Sequence, residues 1–351
     1  MKISHNVGVT GYGVAIPRGR IKVSDIAEVW KKDAKKVVGS LGVIEKSVPA
    51  IDQDAATLAV EAAKAAVRSS SPQSIHIGAV YTGSESHPYA VKSTSAIVGE
   101  ALGLPNNYTA ADLEFACKAG TAAVQIVTGM VSSGMIKYGL AIGSDTAQSR
   151  PGDALEYSAS AGSAAFLIGA NPKQIIAKIL HTSSFTSDTP DFWRREHQTY
   201  PRHGGRFTGR PAYFKHVTGS VNKLLKETKA KIKDFDHVVF HMPNGRFPKT
   251  VAKMLRVTEK QLKLGFTVPY LGNTYSACSL IGLAAVLDKA KPKSKILLAS
   301  YGSGSGSDAF ILEVTDNISG YRPENTVDKL ISHKSYVPYT TYITNVNKLL
   351  R

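Results

Sequence analysis

One pattern of apolar and polar positions occurs twice along this chain. After an N-terminal run, Val7-Gly-Val-Thr-Gly-Tyr-Gly13, that reads as a strand, the segment Ile75–Thr82 predicts a strand leading into Gly83–Pro88. A turn at Cys117 then opens an alanine-rich helix to about Val131, and strands follow at Tyr138–Ser144 and Ser163–Gly169. In the second half a strand over Asp236–His241 leads into Met242–Pro248, and Gly272–Cys278 opens a helix over Leu280–Leu287. Strands at Ser294–Ser300 and Ser307–Val314 close the repeat. Short β-branched and apolar runs argue for strands, and alanine-rich stretches of helical period for the helices between them. Strand–helix–strand units in this order predict an α/β fold with parallel pairing, right-handed crossovers and helices on both faces.

Spacing supports a duplication. Glu85 precedes Cys117 by 32 residues, His241 precedes Asn273 by the same 32, and Cys117 and Cys278 stand 161 apart. Loops after equivalent strands of such units meet at one crevice, where open α/β sheets bind ligands. Glu85, Cys117, His241 and Asn273 should therefore converge.

Those residue types carry chemistry. A cysteine at a helix start faces unpaired backbone N–H groups and the positive end of the dipole, which favour a thiolate. Cys117, in Glu114-Phe-Ala-Cys-Lys-Ala-Gly120, reads as a nucleophile against the alternative of inert packing. Glu85, in Gly83-Ser-Glu-Ser-His-Pro88, reads as a general base whose pKa an apolar crevice would raise; alone it could cap a turn. His241, in His241-Met-Pro-Asn-Gly245, ends a strand and can donate to a developing alkoxide. Cys278 fills the slot of Cys117 in the repeat and reads as packing. Gly302-Ser-Gly-Ser-Gly-Ser307 joins two strands without a helix N-terminus, so it reads as a flexible active-site loop, not a phosphate cradle.

Composition narrows the class. The chain has 351 residues, 43% of them hydrophobic, enough for two domains or a duplicated one. No apolar run reaches the roughly 20 residues of a membrane helix, and Ser279 and Gly282 interrupt Ala277–Leu287. The N-terminus lacks a charged-then-apolar signal pattern. Two cysteines build no disulfide framework and suit a reducing cytoplasm. Ten histidines show no metal-site spacing. The net charge of +16 is dispersed over Lys31–Lys36, Lys223–Lys233 and Lys289–Lys295 without a stripe of stacking aromatics. That favours a solvated cationic surface attracting anionic cofactors over nucleic-acid binding.

The motifs Gly83-Ser-Glu-Ser-His-Pro88, Phe115-Ala-Cys-Lys-Ala-Gly120, Asp191-Phe-Trp-Arg194, His241-Met-Pro-Asn-Gly245, Gly272-Asn-Thr274 and Ser300-Tyr-Gly-Ser-Gly-Ser305 together resemble the thiolase-superfamily condensing enzymes. Within them the chain is similar, over essentially its whole length, to the archaeal type of 3-hydroxy-3-methylglutaryl-CoA (HMG-CoA) synthase. The resemblance implies thiolase-like duplicated βαβαβ halves in a five-layered αβαβα sandwich. Residues 1–170 would carry Glu85 and Cys117. Residues 171–351 would carry His241 and Asn273, with an insertion near 185–215 over the CoA entrance. It implies an acyltransferase of the mevalonate route, in which Cys117 carries an acetyl group, Glu85 deprotonates it, and His241 protonates the aldol oxygen of acetoacetyl-CoA.

Site residues follow from the same resemblance. Ser158, Thr208, Asn273 and Ser303 would line the acyl pocket, Arg206, Arg246 and Lys249 would hold the CoA phosphates, and Asp33-Ala34 would touch substrate. Thr250 departs from a basic residue common in relatives, and Asn244 marks the archaeal branch. No metal or redox cofactor is implied, only CoA thioesters as substrates. The implied partners are a second copy in a homodimer, an acetoacetyl-CoA thiolase and a small zinc-containing OB-fold protein, without nucleic acid or membrane. A type III ketoacyl synthase is the near rival, disfavoured by Glu85 because decarboxylation of malonyl groups needs no such base. A non-catalytic acyl-CoA-binding scaffold is the distant one.

Overall fold

The computed structural model describes residues 1, 3, 6–70, 76–146, 149–304 and 306–347, apart from the side chains of Arg206 and Asn347. Ile75 of the expected first strand and Ser305 of the glycine-rich loop lie outside them. Nine strands form one sheet: β1 (Gly8–Ala15), β2 (Ile77–Gly83), β3 (Thr109–Leu113), β4 (Tyr138–Thr146), β5 (Ala161–Gly169), β6 (Ala177–Thr186), β7 (His237–Phe240), β8 (Lys295–Ala299) and β9 (Gly306–Val314). Their spatial order is β7-β8-β9-β6-β1-β5-β4-β2-β3.

The sheet is mixed, which corrects the expectation of parallel pairing. Only β2–β3, β2–β4 and β7–β8 are parallel. The remaining pairs are antiparallel. Among the described residues no crossover helix separates β4 from β5 or β8 from β9, and without one a strand can only turn back along its neighbour. The pairing is symmetric about the short β1–β6 seam. Outward from it, β1-β5-β4-β2 and β6-β9-β8-β7 each run antiparallel, antiparallel, parallel. β3 is an extra edge strand with no counterpart in the second run.

Side-chain alternation produces the layers. On β5, Ala164, Phe166 and Ile168 pack inward while Ala161, Ala165 and Leu167 pack outward. On β8, Ile296 and Leu298 pack inward while Leu297 and Ala299 pack outward. The inner faces of both runs close on two central helices, α2 (Ala119–Ser132) and α5 (Cys278–Leu287). The outer faces are covered by α1 (Ala55–Ser69) on one side, and by α3 (Phe214–Thr228) and α4 (Arg246–Leu255) on the other. The result is five layers, αβαβα, with strands apolar on both faces. All ten residues of α5 are buried, so its continuous apolar character belongs to a central helix. Among the described residues no helix is long and apolar enough to cross a membrane.

Close backbone approach fixes the start of α2 against the end of β2. A Cβ on Gly83 would stand 2.2 Å from the Ala119 carbonyl carbon and 2.4 Å from the Gly120 nitrogen. Gly83→Ala must therefore push α2 off the sheet, and it should lower stability by about 1–3 kcal/mol. Thermal denaturation of the variant, with a drop in melting temperature and in activity together, checks this.

Candidate active site

The end of β2 and the start of α2 bring the first two chemical groups together. Ser84, Glu85 and Ser86 follow Gly83 and wrap around one carboxylate, Asp145, near the end of β4. Asp145 Oδ1 accepts from Ser84 Oγ (2.8 Å), the Glu85 backbone N–H (2.9 Å) and Ser86 Oγ (2.6 Å). Its Oδ2 accepts from the backbone N–H and Oγ of Ser276, at 2.8 and 2.6 Å. A fully buried carboxylate with five donors is satisfied, and it fixes the loop that carries Glu85.

Cys117 sits in a tight turn, Ala116–Lys118, just ahead of α2. Ala116 has φ +44°, a left-handed conformation that costs a residue with a Cβ about 1–3 kcal/mol. The turn aims the thiol at the Glu85 loop, and Cys117 Sγ lies 3.3 Å from Glu85 Oε1. The same turn precedes α5 at Tyr275–Ala277, where Tyr275 has φ +51°. The slot equivalent to Cys117 is therefore Ser276, and Cys278 is displaced by two residues into the helix proper. Cys278 packs against Met242, whose N–H donates to its sulfur at 3.3 Å, and burial pushes its thiol up to about 12.

Electrostatics corrects another expectation. The Cys117 thiol is held well above the usual thiol range, first by burial and then by the charges of Glu85 and Asp145. The resting form is the thiol, since those effects override the helix start. Glu85 is likewise raised well above the ordinary carboxylate range, by burial and by Asp145, with Arg194 opposing. A carboxylate with that proton affinity, in contact with S–H, is suited to proton transfer.

His241 lies one residue beyond β7. Its backbone N–H donates to the Ala299 carbonyl at 2.9 Å, and its carbonyl accepts from Tyr213 Oη at 2.6 Å. Its ring stands 6.5 and 6.4 Å from the rings of Tyr213 and Tyr301. Burial lowers its pKa to about 3, and Nδ1 has no partner among the described residues. The imidazole is neutral and can donate one N–H.

Cys117 and His241 open into one cavity of about 280 Å³, with Ser158, Thr208, Asn273 and Ser303 also in its wall. Asn273 accepts the Tyr275 N–H on Oδ1 at 2.9 Å, which leaves its NH2 end as the donor for a bound carbonyl. The strand pair Phe192–Trp193 and Arg202–His203 covers this cavity, contributing Phe192 and His203. Asp191 ties that cover to the glycine-rich loop by accepting from Tyr301 Oη and the Gly304 N–H, both at 2.7 Å. Within the segment expected to be flexible, Gly302 and Gly306 exchange backbone bonds and Gly304 is held by Asp191.

Other sequence candidates lie elsewhere. Asp33 is exposed and caps the helix Ala34–Leu41, accepting the Lys36 N–H at 3.1 Å. That helix reaches the cavity through Leu41, not through Asp33 or Ala34. Arg246 is exposed at the first residue of α4, beside the wall residues Asn244 and Phe247. Lys249 turns into a separate groove with Lys253, Lys260 and Lys263, its ammonium 5.2 Å from the centre of the Phe266 ring. Thr250 donates its hydroxyl to the Arg246 carbonyl and supplies no charge there. The Arg206 side chain lies outside the described atoms. Asp145 was not foreseen, and Asp191, Phe192, Tyr213 and Tyr301 were named only within motifs or the expected insertion, without individual roles. Asp145 had a signal, an acid closing the otherwise apolar run Leu140-Ala-Ile-Gly-Ser-Asp145 at the binding end of a sheet.

A family model for the C-terminal part of 3-oxoacyl-[acyl-carrier-protein] synthase III matches residues 225–314. Curated hydroxymethylglutaryl-CoA synthases match along the whole length. That of Archaeoglobus fulgidus is 58% identical over 343 residues, covering 98% of this chain and 99% of its own. That of Methanosarcina barkeri is 55% identical over 346 residues, with the same coverage. The chain belongs to the hydroxymethylglutaryl-CoA synthase family. Solved HMG-CoA synthases share its fold at lower identity. One complexed with CoA gives a TM-score of 0.86 at 23% identity, covering 97% of this chain and 90% of that one. PksG, an HMG-CoA synthase from Bacillus subtilis, gives 0.87 at 22% identity, covering 98% and 89%.

The buried histidine sets a pH dependence of stability for this family member. His241 is neutral in the fold down to about pH 3 but takes a proton below about 6.5 once unfolded. Its folded pKa is depressed, so stability present above pH 6.5 is lost as pH falls toward 3, at up to about 1.4 kcal/mol per pH unit. His241→Gln should flatten that acid limb, as denaturant unfolding between pH 7 and 4 would show.

Proposed function

We propose that the chain condenses acetyl-CoA with acetoacetyl-CoA and water to give 3-hydroxy-3-methylglutaryl-CoA and CoA. The observation that carries this reading is the contact between the Cys117 thiol and a high-affinity carboxylate, Glu85, at a cavity that also holds a neutral histidine. Glu85 takes the thiol proton, and the thiolate attacks the acetyl-CoA carbonyl. The C–S bond to CoA breaks, the departing sulfur takes that proton back from Glu85 so that CoA leaves as its thiol, and an acetyl thioester remains on Cys117. Glu85 then removes a methyl proton, and the resulting carbon nucleophile adds to the ketone of acetoacetyl-CoA. His241 and Asn273 donate hydrogen bonds to the oxygen as it becomes an alkoxide, and the alkoxide is protonated as Glu85 gives up the methyl proton and returns to a carboxylate. Water cleaves the thioester and frees Cys117.

The relatives support the substrates, since solved synthases are described in complex with CoA and with 3-hydroxy-3-methylglutaryl coenzyme A. Ser158, Thr208 and Ser303 shape the acyl pocket in this reading, and Arg246, exposed beside the wall residues Asn244 and Phe247, attracts the CoA phosphates; Arg206 joins it on the sequence resemblance alone, while Lys249 faces a separate groove. The halves 1–170 and 171–351 each contribute one side of the reaction. A homodimer is part of this reading, as the sequence resemblance implies. The mevalonate route, a cytoplasmic location, and assembly with an acetoacetyl-CoA thiolase and a small zinc-containing OB-fold protein follow from the sequence resemblance. The match to the synthase III family model over residues 225–314 keeps the decarboxylating condensation as the rival.

Two measurements test this. Acetyl-CoA alone should acetylate Cys117 and leave Cys278 free; peptide mass spectrometry showing an adduct on Cys278, or on neither, defeats the assignment. Glu85→Ala should lose condensation by about 10²–10⁴-fold, because no base remains at the acetyl methyl. The same variant should still acetylate, more slowly, at a pH high enough to ionise the thiol. A near-normal condensation rate, or turnover of a malonyl thioester independent of residue 85, would favour the rival.

A further inference from the structure

Lys118 directly follows the reactive cysteine, yet it is only 4% exposed. Its ammonium lies 3.1 Å from Asp308 Oδ2 and 3.8 Å from the centre of the Phe115 ring. Asp308, on β9 of the opposite run of strands, is fully buried. Its Oδ2 also lies 3.0 Å from Thr121 Oγ1, one helical turn into α2, and its Oδ1 accepts from Ser184 Oγ at 2.8 Å. The loop beyond β8 makes room for the lysine stem. A Cβ on Gly302 would stand 2.7 Å from Lys118 Cγ and 2.5 Å from the Phe115 carbonyl oxygen. The next residue, Ser303, lines the acyl cavity.

A buried ion pair seldom adds stability over apolar residues of the same volume, because desolvation of both charges opposes their attraction. Its attested use is to fix one arrangement among several. Here the arrangement at stake is that of the nucleophile turn, which holds a left-handed Ala116 and needs an outside tether to stay there. We propose that Lys118 is a positioning residue: paired with Asp308 across the seam, it holds the Cys117 turn and the Ser303 loop in register for acyl transfer. Glu85 contacts the thiol, and the fields of Asp145, Tyr275, Tyr301 and Cys278 also reach it. Lys118 acts from behind the turn, without touching substrate.

This inference rests on Cys117 as the acyl carrier, and the test separates the two. Lys118→Met with Asp308→Asn removes the pair without stranding a buried charge, so the double variant should keep its melting temperature within a few degrees. Single-turnover acetylation of Cys117 should then slow about tenfold at saturating acetyl-CoA, since a small misplacement of a nucleophile costs rate. The half-saturating acetyl-CoA concentration should stay within about twofold, the split expected when alignment but not binding is lost. Lys118→Met alone should be slower still or fail to fold, because it leaves Asp308 unpaired. Wild-type acetylation rates in the folded double variant would overturn the inference. So would a loss confined to the half-saturating concentration. Absence of acetylation in the wild-type protein would instead defeat the acyl-carrier reading.

Discussion

Two buried carboxylates hold the halves of the molecule to each other, and the site exists only where both grips are made. Asp145 rises from the first run of strands and binds the Ser276 turn that opens α5. Asp308 rises from the second run and binds Lys118 and Thr121 at the opening of α2. Each acid thus reaches across the seam to a helix start of the other half. Asp145 also gathers the Ser84–Ser86 loop, so the 3.3 Å between Glu85 and Cys117 is a consequence of how the halves pack. Local preference alone would not set it.

The two grips differ in charge, and the difference falls where chemistry needs it. Asp308 has an ammonium beside it. Asp145 has only N–H and O–H donors among its hydrogen-bond partners, so its field remains and raises both Glu85 and Cys117. A higher proton affinity makes Glu85 a stronger base and keeps the thiol protonated at rest. The cost is local. Ala116 and Tyr275 sit at positive φ, and His241 carries an unpartnered ring nitrogen. The rest of the fold offsets it with a central helix buried on every side and strands covered on both faces.

The strands were legible because their apolar runs are dense and bounded by small residues. Their direction was misjudged where the chain lacks a helix between neighbours, as in the short link from β8 to β9. The residues of the cavity wall were legible through motifs, since loops after matching strands converge in any such duplication. What sequence could not convey was backbone conformation and side-chain direction. Counting from cysteine to cysteine placed the repeat two residues off, because the marker of the turn is a positive φ shared by Ala116 and Tyr275. Asp33 and Lys249 are charged residues in suggestive segments, but one caps the start of a helix and the other covers Phe266. Charge alone does not say which way a side chain faces.

A histidine held near pKa 3 constrains how the proposed condensation can finish. At neutral pH His241 has no spare proton, only an N–H to offer as a hydrogen bond. A full transfer to the aldol oxygen would require the ring first to take up a proton, which the growing negative charge favours by raising its proton affinity. Glu85 meanwhile holds the proton it took from the acetyl methyl, in contact with Cys117. Whichever group delivers the proton, the books balance only if Glu85 ends as a carboxylate, ready to activate the water that releases the product. A neutral histidine and a carboxylate of high proton affinity are therefore complementary. One stabilises charge through a hydrogen bond, and the other takes up and returns a proton at successive steps.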